Sequence, residues 1–532
     1  MKRQVVFVAS LLAVVGISSA MALPPKSRIS SGSTLTSGSF DFSKYINANQ
    51  LLGIVSNQGN LFYDAVQNFG RYDGLYFPYT SIDDILSGAN DKTVIYDAGL
   101  WMGGRVGVDT LIAVAEYSTE YIPGNMVAGS FDPLFGDSKY RVYKLYHDSL
   151  AANPNVDYLQ WPIAQGAPTD GGGHPLLLGD QTAWSVYNDA KVDEHTNNAG
   201  STSPLEIEIR QTLWASNDPS HSNIINVKYQ LYNNGSKHIS GLYVAFWADP
   251  DLGGPSDDLV GCDTLQNTFF CYNATNADAR YGSTPPAWGG RLLLGPTVPS
   301  PGDSAISFGK LIHGYRNLGM TAFSKYINGI DPSSYVHTYN YLQGLTRDGS
   351  AYMYNGNILQ YANSGDPVTQ QGDLDADPAD RRLMASCGPI SFNPGDSQEL
   401  IFQIAACMSS DRLSSLSELL YRLRTDTPTD VNPSGIDNLP SAFELHQNYP
   451  NPFNAGTILE FSLATPQSVR LDVYNALGQR VVTLIDQFMT SGIHRVSWNG
   501  VDDNSVPVAS GVYEFKLTGE GTSKVVKGVL LK

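Results

Sequence analysis

Short runs of β-branched and aromatic residues, each closed by a Gly, Pro or Asn turn, recur along this chain and leave little room for long helices. Thr110–Tyr117, Leu205–Ala215, Asn223–Tyr232 and Gly241–Trp247 are such runs. Their residue types fit a pleated, half-buried surface, and the turn residues between them supply the backbone angles a reversal needs. Asn233-Asn234-Gly235 lies between two runs, so Asn223–Tyr232 and Ile239–Trp247 are expected to form a hairpin within a sandwich. The 51 Gly, 30 Pro and 30 Tyr point the same way. A chain of 532 residues exceeds what one core organises. The expectation is all-β: a large β-sandwich-type region, of one or two sandwich units, over 41–426, then a smaller sandwich.

The ends of the chain speak to destination. Lys2 and Arg3 precede an apolar run, Val5 to Ile17, and the small-residue site Ala20-Met21-Ala22. That is the order of a cleavable signal peptide, 1–22, and the run is too short to span a bilayer comfortably. Residues 23–40, rich in Ser, Gly, Thr and Pro, read as a flexible leader. No later stretch approaches 18 apolar residues, so no transmembrane span is expected in the mature chain. The net charge of −18 excludes nucleic acid as a natural partner, because phosphate binding needs a basic face.

A short helix is expected over 411–424, with Leu413, Leu416, Leu420 and Leu423 on one face. A linker, 427–438, follows, and from 439 to 532 the pattern changes. Ile458–Leu463, Val469–Tyr474, His494–Trp498 and Gly511–Leu517 alternate apolar with polar. Six or seven short strands in so short a span is the arithmetic of an Ig-like sandwich.

This domain also resembles a known family. Gln447-Asn448-Tyr449-Pro450-Asn451-Pro452-Phe453-Asn454, Tyr474-Asn475-Ala476-Leu477-Gly478-Gln479, Ser510-Gly511-Val512-Tyr513 and Lys527-Gly528-Val529-Leu530-Leu531-Lys532 occur in order. Together they resemble the type A C-terminal sorting domain of type IX secretion cargo, similar in turn to the Ig-like domain of flagellar hook-cap proteins. The resemblance implies recognition by secretion machinery, passage across the outer membrane, and a secreted or surface-attached product. The middle region resembles uncharacterised exported proteins with the same tail, through Asp97-Ala98-Gly99-Leu100-Trp101-Met102-Gly103-Gly104, Val186-Tyr187-Asn188-Asp189 and Ala248-Asp249-Pro250-Asp251-Leu252-Gly253. That likeness implies no activity.

Export permits disulfides. A two-residue turn at Gln266-Asn267 would set Cys262 opposite Cys271 at a close cross-strand position. Cys387 and Cys407 lie on runs Leu383–Phe392 and Leu400–Cys407, joined by Asn393-Pro394-Gly395-Asp396, and form a second candidate pair. Four buried free thiols are the alternative.

Two acidic loops are candidate calcium ligands: Asp249, Asp251, Asp257, Asp258 and Asp263, and Asp373, Asp375, Asp377 and Asp380. Calcium takes six to eight hard oxygens, which alternating Asp side chains supply. The twelfth positions are Val260 and Met384, so neither loop is an EF-hand. The same loops, read without metal, are solvated acidic turns. Trp101, Trp161, Trp184, Trp247 and Trp288 could line a sugar-binding face or fill a core. Asp193, Glu194 and His195 read as a polar surface loop. No HExxH, GxSxG or P-loop occurs, and no catalytic residue is assigned. The function expected is a secreted or cell-surface protein, structural or adhesive, meeting surface glycans or other surface proteins. A carbohydrate-binding protein or polysaccharide-degrading enzyme is the alternative.

Overall fold

The computed structural model describes residues 42–531 except 65–72, 148–153, 219–220, 426–442, 455, 464–466, 490–491, 505 and 520. The signal segment, the leader and the 427–438 linker lie outside the described residues. The fold is all-β, built mainly of antiparallel strands.

Two large sheets enclose one core. The first orders Ser43–Ile46, Gly53–Ser56, Asn60–Leu61, Asp97–Val106, Ile239–Asp249, Arg381–Phe392 and Ala322–Ile327. The second orders Tyr143–Tyr146, Gln181–Asn188, Ile207–Ala215, Ile224–Asn233, Ser397–Cys407, Ala287–Leu294, Thr268–Asn273 and Asp258–Asp263. Leu100, Val244, Phe246 and Leu383 of the first pack with Leu213, Val227, Phe402 and Ile404 of the second. Phe246 bridges the layers, its ring 5.7 Å from Phe402 and 5.5 Å from Phe269. Each fully buried side chain of this size contributes about 1.5–3 kcal/mol.

Helices cover the outer faces. Tyr335–Leu342 packs Tyr339, Tyr341 and Leu342 into one cluster with Trp101, Trp247 and Met384 of the first sheet. Arg412–Thr425, capped by Asp411 accepting from the Leu413 and Ser414 N–H groups, lays Leu416, Leu419 and Leu423 against Phe270, Ala405 and Cys407 of the second. Strands covered on both faces lose their alternation, and every residue of Ser397–Cys407 after the first is buried.

Asn223–Tyr232 and Ile239–Trp247 do not form the expected hairpin. Ile224–Asn233 lies in the second sheet and Ile239–Asp249 in the first, so the turn between them carries the chain across the core. A second arch, at Asn393–Asp396, does the reverse between Arg381–Phe392 and Ser397–Cys407. The two arches stack, each pairing with the other in both sheets. Their turns are tied by Asn233 N–H to Asp396 O at 3.0 Å and Gly395 N–H to Asn233 O at 2.8 Å.

The C-terminal part has its own two sheets: Glu444–Leu445, Thr457–Leu463 and Gly492–Trp498, and Arg480–Met489, Gln467–Asn475, Gly511–Gly519 and Thr522–Leu530. Between them sits a separate core of Leu459, Phe461, Leu471, Val473, Trp498, Phe515 and Leu517, among others. The sequence motifs are structural clasps here. Asn451 accepts from Val529 N–H at 2.8 Å and donates to Lys527 O at 3.1 Å. Phe453 exchanges backbone bonds with Val529 and Leu531. Buried Asn448 donates to Thr457 Oγ1 and Pro450 O. The Tyr513 hydroxyl donates to Ala509 O at 2.7 Å, a tie across a strand corner that Ig-like sandwiches use. A Cβ on Gly528 would stand 2.7 Å from the Phe515 ring and 2.8 Å from Asn448, so the motif requires glycine there.

All four cysteines are free and buried. The hairpin turn at Gln266-Asn267 is longer than two residues: Asp263 pairs with Thr268, which sets Cys262 opposite Phe269 and Cys271 opposite Val260. Asp263 stabilises the longer turn by accepting from Leu265 and Gln266 N–H. Cys387 and Cys407 are in different sheets. Both disulfide expectations are therefore corrected. Burial pushes all four thiols up, to about 12 for Cys407, so none is a ready thiolate. Thermal melting with and without reductant is expected to give the same midpoint; a drop on reduction would restore a disulfide.

Candidate metal centre

Three neighbouring strands of the first sheet meet at one edge: Asp97 begins one, Asp249 ends the next, and Arg381 begins the third. Asp249 and Asp97 are cross-strand partners, so their side chains share a face. Beyond Asp249 the chain turns through Asp251, whose φ is +45°. Asp380 arrives just before the third strand. One carboxylate oxygen from each of Asp249, Asp251 and Asp380 lies within 4.8 Å of the others. Two loops more than a hundred residues apart thus converge.

Arg382 is the counter-charge. Its Nη2 donates to Asp249 Oδ2 at 3.1 Å and to the Tyr117 hydroxyl oxygen at 2.9 Å. Its Nη1 donates to Asp380 Oδ1, and its Nε is 3.8 Å from Asp331 Oδ1. The Tyr117 hydroxyl donates to Asp249 Oδ2. The Tyr117 ring packs edge-on against Trp247 at 5.8 Å, with Tyr63 and Tyr96 at 6.0 and 6.2 Å. Burial pushes the Asp249 carboxyl well above the usual range, with Arg382 pulling it back and Asp251 pushing it further.

The other acidic residues serve elsewhere. Asp375 holds Lys325 Nζ at 2.5 Å and Arg381 Nη2 at 2.7 Å, and accepts from Val260 N–H. Buried Asp258 accepts from Leu252 N–H, and burial raises its carboxyl. Asp257 accepts from Asn273, Asp373 from Asn363 N–H, and Asp263 caps its turn. Asp377 is exposed and contributes its carbonyl to Arg381. The structure therefore gathers one group of three carboxylates across the two loops rather than one group per loop. Sequence reading passed over Arg382, Tyr117 and Asp331. The Arg381-Arg382 pair directly after an acidic loop was the available signal.

Trp101, Trp161, Trp184, Trp247 and Trp288 are all buried, so none offers a face to a sugar. The Trp101 indole donates to Ala115 O at 3.0 Å. A Cβ on Gly99 would sit 2.2 Å from that same oxygen, which explains the glycine in its motif. His195 is also a correction. Asp193 remains exposed, but the imidazole turns inward, Nε2 2.7 Å from Asp189 O and Nδ1 3.7 Å from Glu120 Oε2. The 3₁₀ turn Val192–Glu194 delivers it there.

Together these features define an all-β sandwich with a C-terminal Ig-like domain. The family model of the FlgD Ig-like domain matches residues 450–523. No curated protein sequence matches the chain. Among solved structures, a polysaccharide lyase is 10% identical over 93% of this chain, at a TM-score of 0.24. The chain spans 47% of that lyase. Latent PorU from Porphyromonas gingivalis is 8% identical over 66% of this chain and 31% of its own, at 0.15. PorZ, described as a surface component of the type-IX secretion system of the same bacterium, is 12% identical over 92% and 59%, at 0.14. Likenesses this distant transfer no activity.

Proposed function

We propose that this is an exported, non-enzymatic surface protein, structural or adhesive in role, whose residues 439–532 act as a type A sorting domain for type IX secretion. The carrying observation is the C-terminal Ig-like domain, in which the entry and ending motifs of the resemblance meet as one clasp: Gln447, Asn451 and Phe453 grip the last strand at Lys527–Leu531. Secretion machinery that reads the final strand would find it held in place by these motifs. The N-terminal signal order supports a first membrane crossing. Among the described residues no helix is long and apolar enough to cross a membrane. The larger sandwich is the exported cargo, and its buried tryptophans favour a structural role over sugar binding.

Deleting 439–532 is expected to leave the main region inside the cell envelope, measured by immunoblot of medium, surface and periplasmic fractions. Undiminished appearance outside the cell would refute the sorting role.

A further inference from the structure

We propose that Asp249, Asp251 and Asp380 bind one divalent cation, calcium by the chemistry of the ligands, which clamps the turn after Asp249 to the loop before Arg381. Asp249 is only 2% exposed, and its Oδ1 has no hydrogen-bond partner among the described residues. Its Oδ2 is already engaged by Tyr117 and Arg382. A buried carboxylate oxygen left without a donor is costly, and a cation removes that cost. The oxygens of Asp251 and Asp380 lie within 4.8 Å, as a shared ion requires. Asp380 also accepts from Asn328 Nδ2 at 2.7 Å through Oδ2, and from Arg382 through Oδ1.

Charge selects the valence. Three carboxylates and the Arg382 guanidinium sum to −2, which a divalent ion neutralises. Asp97, in register opposite Asp249, adds further negative potential on the same face. The ligands are all oxygen, which excludes a preference for soft metals. Calcium accepts irregular oxygen sets completed by backbone carbonyls and water, whereas magnesium demands a near-ideal octahedron. Arg382 bridges Asp249 Oδ2 and Asp380 Oδ1, which leaves Asp249 Oδ1 as the oxygen open to the ion. The clamp does not depend on the sorting role.

The test uses the mature chain stripped with chelator, with calcium chloride as the probe. Calcium at 100-fold above its Kd is expected to raise the melting midpoint of the larger sandwich by about 3 °C. Asp251→Asn and Asp380→Asn, both half-buried, are expected to lose that rise, while Asp263→Asn keeps it. No rise in the unaltered chain, or a full rise in either of the first two variants, would overturn the proposal. Should a variant fail to fold, terbium luminescence of the unaltered chain decides. Emission sensitised through neighbouring Tyr117 and displaced by calcium supports the site; no sensitised emission overturns it.

Discussion

Trp498→Ala is expected to unfold the C-terminal sandwich while the larger one still melts at its own temperature. Trp498 is 2% exposed and stands at the centre of the smaller core. Its ring meets Tyr513 at 5.0 Å, Phe515 at 5.6 Å and Phe453 at 5.8 Å, all edge-on, a favoured aromatic geometry. Its indole N–H donates to Val501 O at 2.8 Å. Truncating a buried Trp to Ala costs about 3–5 kcal/mol in lost transfer energy and cavity. A sandwich this small has a total stability near the low end of about 5–15 kcal/mol, so the loss takes most of it. Among the described residues no strand pairs across to the larger sheets, and Tyr449 meets the larger region under the Arg424 guanidinium at 4.5 Å, away from Trp498, so the damage is expected to fall on the smaller core. Calorimetry is the measurement. The unaltered chain should show two transitions and the variant one. Two unshifted transitions would show that Trp498 does not organise this core. The Phe453 clasp loses its packing partner in the same variant.

Raising the pH from about 5 to 7 is expected to destabilise the larger sandwich, by on the order of 3 kcal/mol. The cause is a buried acidic network. Glu120 is fully buried, accepts from Val114 and Ser201 N–H, and faces His195, which also faces Asp189. Burial pushes its carboxyl up to about 8. Glu116, which keeps some exposure and accepts from Asn197, is pushed up to about 7 by the same cause. Burial also raises Asp189 and Asp258. Each of these binds its proton more tightly folded than unfolded. Their stabilisation is complete below the unfolded value, near 4.5 for the glutamates and 3.8 for the aspartates, and is lost as pH rises through the folded one. Lys144 works in the opposite sense: burial lowers it to about 7, so it favours the folded state from there upward. The decline is therefore concentrated below pH 7. Melting midpoints across this range should fall, and the double variant Glu116→Gln, Glu120→Gln should flatten the slope. A midpoint that is level or rises from pH 5 to 7 would refute the account.

Local chemistry was legible wherever a residue's neighbours are its own sequence neighbours. Asp411 capping its helix, Leu416 and Leu423 facing inward, and the strands of the C-terminal domain all follow from period and capping. The cysteine register failed for a local reason too, because Asp263 stabilises a longer turn than Gln266-Asn267 alone suggests. The arches failed for a non-local one. Asn233-Asn234-Gly235 signals a reversal, and nothing in it distinguishes a turn within one sheet from a turn between two.

The sequence by itself determined the class of fold, through its strand-length runs and turn residues, and the C-terminal domain, through motifs whose members touch one another. Tertiary structure alone decided which strands pair, because cross-strand partners such as Ile239 and Phe392 are set by the shared core rather than by chain proximity. It also decided the three-carboxylate cluster. Asp249 and Asp380 are brought together only because their strands are adjacent in the sheet, and Arg382 stands between them because the third strand begins there.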